Sequence, residues 1–222
     1  MTDAPQPAAE DDRAERLAAL SALDTEADPL FDALARSTAI ATGAPIALIT
    51  LIDNERQWFK ANIGFAGLRE TPRDVAFCAQ TILGPELMEV TDASSDPCWA
   101  ENPLVTGYPG IRFYAGMPLT LHDGVRVGAL CILDRTPRKL NDEQRRVLAA
   151  LAAAAVEALE LRMLSLQRQA MRQRQRDDAV SGLEAAKAMA ALLARTDRLM
   201  GAGRWSLDLD TKQINWSDET CA

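Results

Sequence analysis

The sequence predicts an α+β fold, an antiparallel sheet with flanking helices that continues into one long C-terminal helix. Short apolar, β-branched runs punctuated by turn residues fill residues 45–134, and helical spacing brackets them on both sides. From Asn141 to Met200 there is no proline and a single glycine, Gly182. A continuous helix of that length would reach roughly 90 Å at its normal rise per residue. After residue 200 the pattern switches to strict alternation, so a segment of different character begins there.

Length and composition bound the function. A chain of 222 residues suits one domain plus an extension, and 48% apolar residues can bury a real core. The net charge of −8 argues against nucleic-acid binding, which needs a basic face. No run of eighteen apolar residues occurs and the first residues are acidic, so neither a membrane anchor nor a signal peptide is expected, and the cytoplasm is the expected location. Cys78, Cys98, Cys131 and Cys221 are widely spaced, fit no CxxC pattern and read as reduced thiols. The single histidine, His122, leaves no multi-histidine metal site, and beside Asp123-Gly124 it reads as a solvated loop residue.

In chain order, residues 1–11 are expected to be disordered. Leu17, Leu20 and Leu23 recur at helical spacing. Asp28-Pro29 reads as the cap and first turn of a second helix, which carries Leu30, Phe31, Leu34 and Ile40 towards a core and stops near Gly43. Pro45–Ile52 reads as a buried central strand, paired through Asp53-Asn54-Glu55 with Arg56–Ile63. Within the second strand, alternation sends Trp58 and Phe59 to opposite faces. Residues 64–74 read as a loop, Ala76–Leu83 as a short helix and Leu87–Val90 as a strand. Thr91–Gly110 reads as a long irregular stretch, before a hairpin of Ile111–Leu121 and Val125–Leu133 around Asp123-Gly124. Gly116 and Gly128 suggest a bulge or a close backbone approach there.

Asn141 and Gln144 form a capping box at the start of the long helix. Val156, Leu159, Met163, Leu166 and Ala170 follow heptad spacing, the seam of a coiled coil. Five arginines and no acid lie between Arg162 and Arg176; a solvated flank accounts for them better than a nucleic-acid patch. Leu183, Ala186, Ala190 and Leu193 resume the spacing about one position out of phase, near Ser181-Gly182, where the helix either runs on or breaks in two. In the tail, Trp205, Leu207 and Leu209 share a face, Asp210-Thr211-Lys212 makes a turn, Ile214 and Trp216 return, and Ser217 reads as a helix cap.

Several of these stretches resemble GAF domains of bacterial sensor proteins: PIALITLIDNERQWFKANIG, ETPRDVAFCAQTIL, TDASSDPCWAENPLVTG, IRFYAGMPL and GVRVGALCILDRTPRKL. The tail GRWSLDLDTKQINWSDE looks like the start of a PAS domain. The resemblance implies a six-stranded antiparallel sheet, helices on one face, a ligand pocket on the other, and homodimerisation through the terminal helices. It divides the chain into a GAF sensor domain (12–160), a coiled-coil signalling helix (161–200) and a truncated PAS start (201–222). It implies a non-catalytic input module, with a histidine kinase or cyclic-di-GMP turnover domain downstream. The alternative is a constitutive dimerisation spacer that binds nothing.

In similar domains the pocket is lined from the positions of Phe77, Cys78, Asp92, Trp99, Asn102, Arg112 and Tyr114. Their types suit an apolar site with a few orienting polar groups, although the ligand is not named by them. Arg112 either forks onto an anionic ligand or pairs internally with Asp92. Family members commonly carry histidine after Phe-Cys-Ala, where this chain has Gln80. Asp96-Pro97-Cys98-Trp99 is similar to an auxiliary bilin motif, but the principal Cys-His pair is missing, and covalent bilin is not expected. Some GAF-like proteins reduce free methionine sulfoxide with cysteines. Here Cys131 reads as a small core residue and no base accompanies Cys78 or Cys98, so catalysis is not expected.

Overall fold

A computed structural model of the protein describes residues 7–65, 67–200, 205–208 and 211–216. Helix α1 (Pro7–Ala19) begins inside the stretch expected to be disordered. It is held there by charge. Glu10 accepts from Arg13 at 3.1 Å and from Arg73 at 2.5 Å, and Arg13 also donates to the Ile52 carbonyl. The Arg13 and Arg73 hydrogen bonds, working against burial, hold the Glu10 carboxyl down at about 2.

Helix α2 (Pro29–Thr42) starts where Asp28 accepts from the Leu30 amide at 3.1 Å and ends at Gly43, whose φ of 65° closes the turn. Its register buries Phe31, Ala35, Thr38 and Thr42. Leu30 and Ile40, expected to face the core, lie on the opposite side of the cylinder and are exposed.

The strands β1 (Ile46–Ile52), β2 (Arg56–Ile63), β3 (Glu70–Pro72), β4 (Met88–Val90), β5 (Phe113–Thr120) and β6 (Arg126–Asp134) form a six-stranded sheet in the order β3-β2-β1-β6-β5-β4, and every pair is antiparallel. Strand β3 falls in the stretch read as loop; three residues are too few to show alternation in sequence. All seven residues of β1 are buried, as expected of a central strand. The Asp53 carboxylate closes the β1–β2 turn by accepting from the amides of Glu55 (2.9 Å) and Arg56 (2.7 Å).

Alternation sorts the sheet into two cores. Ala47, Ile49, Leu51, Trp58, Leu130 and Ile132 pack with Leu17 of α1, Leu20 just beyond its end and Phe31 of α2. Leu48, Ile52, Phe59, Tyr114, Cys131 and Leu133 pack on the other face, beneath the short helix α3 (Phe77–Thr81) and the turn of helix α4 (Pro103–Thr106).

Helix α5 (Asp142–Met200) is unbroken through Ser181-Gly182. Its capping box is reciprocal: Gln144 N–H donates to Asn141 Oδ1 at 2.8 Å, and Asn141 N–H to Gln144 Oε1 at 3.1 Å. The chain divides into a compact unit up to Ser165 and a second from Leu166 onward. The second contains the rest of α5 and a hairpin of β7 (Trp205–Leu207) and β8 (Ile214–Trp216). In that hairpin Trp205 pairs with Trp216 and Leu207 with Ile214, as the alternation predicts. The expectations for Leu209, Asp210, Ser217 and Cys221 lie outside the described residues.

Gly128 and Gly182 should respond oppositely to alanine. A Cβ at Gly128 would fall on the Thr50 carbonyl of the neighbouring strand, which cannot move aside. Gly128→Ala is expected to cost about 3 kcal/mol in chemical denaturation. Gly182 meets nothing within 4 Å, so Gly182→Ala should gain about 1 kcal/mol of helix stability, visible as a higher melting temperature in circular dichroism.

Candidate functional site

The face under α3 is built around an aromatic ladder. Phe77, the first residue of α3, lies between the Trp99 ring, stacked at 3.9 Å and 13°, and the Tyr114 ring at 5.0 Å and 25°. Tyr114 points inward from β5, and its hydroxyl lies 2.6 Å from Thr81 Oγ1 and 3.3 Å from Cys78 Sγ. Cys78 Sγ in turn lies 3.5 Å from Cys131 Sγ on the central strand β6. Burial pushes the Tyr114 hydroxyl and the Cys131 thiol well up. Burial acts on Cys78 too, but hydrogen bonds from Cys131, Thr50 and Tyr114 outweigh it and leave this thiol the more readily ionised of the two.

The cavity these groups enclose is about 10 Å³, room for about one water, whereas a ligand pocket commonly needs about 300 Å³ or more. Phe77, Cys78 and Tyr114 line it with Gln57, Thr71, Leu104 and Cys131. Gln57 Oε1 and Thr71 Oγ1 are buried without a hydrogen-bond partner. Sequence reading missed both, together with Thr81. Gln57 was findable in principle, because it shares the face of Phe59 on β2; Thr71 was not, because its strand was unreadable.

Of the seven predicted pocket residues, the structure brings Phe77, Cys78, Trp99 and Tyr114 together. The other three hold the covering loop. Asp92 accepts from Ser94 N–H (3.0 Å), Ser94 Oγ (2.6 Å) and Ser95 Oγ (3.1 Å), and these bonds, Ser94 first, lower its carboxyl with help from the Arg112 charge. Asn102 caps α4 by accepting from Leu104 N–H at 2.9 Å, and its amide donates to the Val75 carbonyl at 3.0 Å. Arg112 donates to the carbonyls of Val105 (2.9 Å) and Ile111 (3.0 Å). It therefore braces the loop, as one reading required, but through backbone carbonyls and not through a direct pair with Asp92.

The family model for the GAF domain matches residues 26–159. The chain belongs to the GAF family. A cyclic di-GMP phosphodiesterase of Pseudomonas aeruginosa is 44% identical over 138 residues, 62% of this chain but 23% of that protein. This chain thus spans less than a quarter of that relative's length. The GAF domain of a phosphoenolpyruvate-protein phosphotransferase from Coxiella burnetii superposes with a TM-score of 0.51 at 12% identity, over 75% of this chain and 99% of that one. The chromophore-binding domain of a bacteriophytochrome from R. palustris gives 0.51 at 14% identity, over 73% and 64%. At such identities these structures establish the shared fold and nothing finer. Among the described residues no helix is long and apolar enough to cross a membrane, and no group of three or more acidic, His or Cys side chains could hold a metal ion.

The GAF domain also grips the first turns of α5. Leu148, Ala152, Ala155, Val156 and Leu159 are buried in its helix-side core, and Met163 packs at the edge. The β5–β6 turn adds an electrostatic clamp. His122 N–H donates to Glu160 Oε1 at 3.1 Å, the ring contacts the Glu160 carboxylate, and Nε2 lies 3.1 Å from Glu157. Asp123 beside it pairs with Arg16 of α1. His122 is solvated as expected, yet it is fully engaged.

Two outcomes test this arrangement. Arg112→Ala strips two carbonyls of a charged donor and should cost about 1–3 kcal/mol in urea denaturation. The Glu160 hydrogen bond, with Glu160 and Glu157 charge, raises the His122 pKa above its ordinary 6.5. The clamp's contribution is therefore complete below that value and is lost as pH rises through the raised one. Stability measured from about pH 5.5 to about pH 9 should fall more steeply for the natural chain than for His122→Gln.

Proposed function

We propose that this chain is the non-catalytic sensory input module of a signal-transduction protein, acting as a parallel homodimer through α5. The observation that carries the reading is the continuity of α5 itself. One helix begins in the GAF core at Leu148 and still carries exposed Leu166, Leu183 and Leu193 some twenty to forty-five residues later. A lone helix with those side chains in water gains by pairing with a second copy, where like positions meet across a seam. Val156 and Leu159 are occupied within their own domain, so the intermolecular seam starts beyond Met163 and runs through Leu166, Ala170, Leu183 and Leu193. A change in how the GAF domain packs on the first turns then reaches the distal end as a small rotation or register shift.

The downstream partner in this reading is a PAS domain, of which β7–β8 is the first hairpin, followed by an output domain. The kinship to a cyclic di-GMP phosphodiesterase favours cyclic-di-GMP turnover over a histidine kinase as that output. The cytoplasm is the matching compartment. The closed cavity under α3 favours one second reading, a dimerising spacer whose GAF pocket has been filled by its own aromatic side chains. Cross-linking separates them: cysteines placed at 166 and 183 should pair with their own counterparts in a parallel dimer, and a pairing pattern that changes with small molecules supports sensing. Leu166→Glu with Leu183→Glu should weaken the dimer about 100-fold or more in analytical ultracentrifugation. A natural chain that sediments as a monomer at micromolar concentration overturns the proposal.

A further inference from the structure

We infer that Cys78 and Cys131 form an oxidisable dithiol site, converted by hydrogen peroxide into a disulfide that ties α3 to the central strand β6. The two sulfurs stand 3.5 Å apart, both buried, on elements separated by more than fifty residues of chain. A disulfide requires about 2.05 Å, so α3 and β6 need to approach by about 1.5 Å between sulfurs. Helix α3 has five residues, of which Phe77, Cys78 and Thr81 are buried against the sheet; the movement is assigned to it because β6 is hydrogen-bonded to a strand on each edge.

Cys78 is the attacking sulfur, since it accepts from the Tyr114 hydroxyl at 3.3 Å, and hydrogen bonds from Cys131, Thr50 and Tyr114 favour its thiolate while burial keeps Cys131 protonated. The Cys78 thiolate attacks one oxygen of the peroxide, the O–O bond breaks, and the departing hydroxide leaves as water after taking a proton, giving a Cys78 sulfenic acid. The Cys131 sulfur then attacks the sulfenic sulfur, the S–O bond breaks, and a second water leaves with the Cys131 proton. Two thiols and one peroxide thus become one disulfide and two waters, and two electrons pass from sulfur to oxygen. The cavity that both sulfurs line also presents the unpartnered Gln57 Oε1 and Thr71 Oγ1, which can accept hydrogen bonds from a hydroperoxide once α3 opens. No residue of the α5 interface takes part, so this chemistry stands or falls apart from the signalling role.

The product would seat Phe77 more firmly between Trp99 and Tyr114, because Cys78 follows Phe77 directly on α3. The test uses the full chain carrying Cys98→Ser and Cys221→Ser, reduced and then exposed to hydrogen peroxide. After quenching, denaturation and alkylation, the expected result is an intact mass two hydrogens below that of the unalkylated reduced chain with no alkyl group added, a peptide joined through Cys78 and Cys131, and reversal by dithiothreitol. Full alkylation of both thiols after peroxide overturns the inference, and so does oxidation of Cys78 to sulfinic acid without a joined peptide. Cys131→Ala, a conservative core change, keeps the order of steps testable: Cys78 should then stop at a sulfenic acid trapped by dimedone. An inert Cys78 in that folded variant rules out the attack proposed.

Discussion

The pleat of β1 and β6 is the constraint on which everything else depends. Both strands are hydrogen-bonded on two edges and buried on two faces, so each successive side chain is committed to one core or the other. Leu130 and Ile132 go beneath the long helices, and Cys131 between them goes to the opposite face. A slip of one residue would place Cys131 among the helices and Ile132 against Tyr114. The close passage of the Gly128 backbone over Thr50 opposes such a slip, because no residue with a Cβ fits there. The dithiol, the aromatic ladder and the seating of α5 all follow from this one register.

The two faces use their residues differently. The helix-side core sets Phe31, Trp58 and Phe113 among aliphatic and small residues, and Ala152 and Ala155 of α5 are buried in it, which makes the first turns of α5 part of the domain. The other face spends its volume on three stacked rings and two thiols. Its charged and amide groups, Asp92, Asn102 and Arg112, are turned to the backbone of the loop they hold. Where the loop covers the core its carbonyls have no sheet partner, and each buried one satisfied by a side chain avoids a cost of about 1–3 kcal/mol. The same groups are then unable to orient a ligand without first letting go of the loop.

What the sequence could reveal depended on whether the signal was local. Caps and turns were legible: Asp28, Gly43, the Asn141–Gln144 box and the Asp123-Gly124 hairpin stand where their chemistry places them. The central strand was legible because seven apolar residues in a row leave few other solutions. Side-chain partners across the fold were not. Cys131 reads as core from its neighbours, and core it is, but nothing in GALCILD indicates that a second thiol from fifty-three residues earlier will face it. Arg112 beside a possible acidic partner invited an ion pair, while the structure uses carbonyls that any sequence would offer. Helix α1 was missed at its start because Glu10, in an acidic and proline-containing stretch, gains its order from Arg73, far along the chain.

The unbroken α5 resolves a competition between two weak effects. Gly182 costs about 1 kcal/mol against alanine in a helix interior, and the out-of-phase seam removes some pairing gain near it. Ending the helix there would cost more. It would free up to four amides and four carbonyls and would require a second nucleation on the far side, at a statistical weight of about 10⁻³. With no proline to remove a donor and no turn sequence to receive the freed groups, the backbone continues. The phase change is therefore carried by side chains alone: the apolar stripe of Leu166 and Ala170 and that of Leu183 and Leu193 lie one heptad position, roughly 100°, apart around one rod. Two copies pairing through such a stripe must either wind differently on the two sides of Gly182 or satisfy one segment at the expense of the other. In the proposed dimer that choice between two packings of one continuous helix would require no hinge, and a domain that grips only the first turns would be placed to bias it.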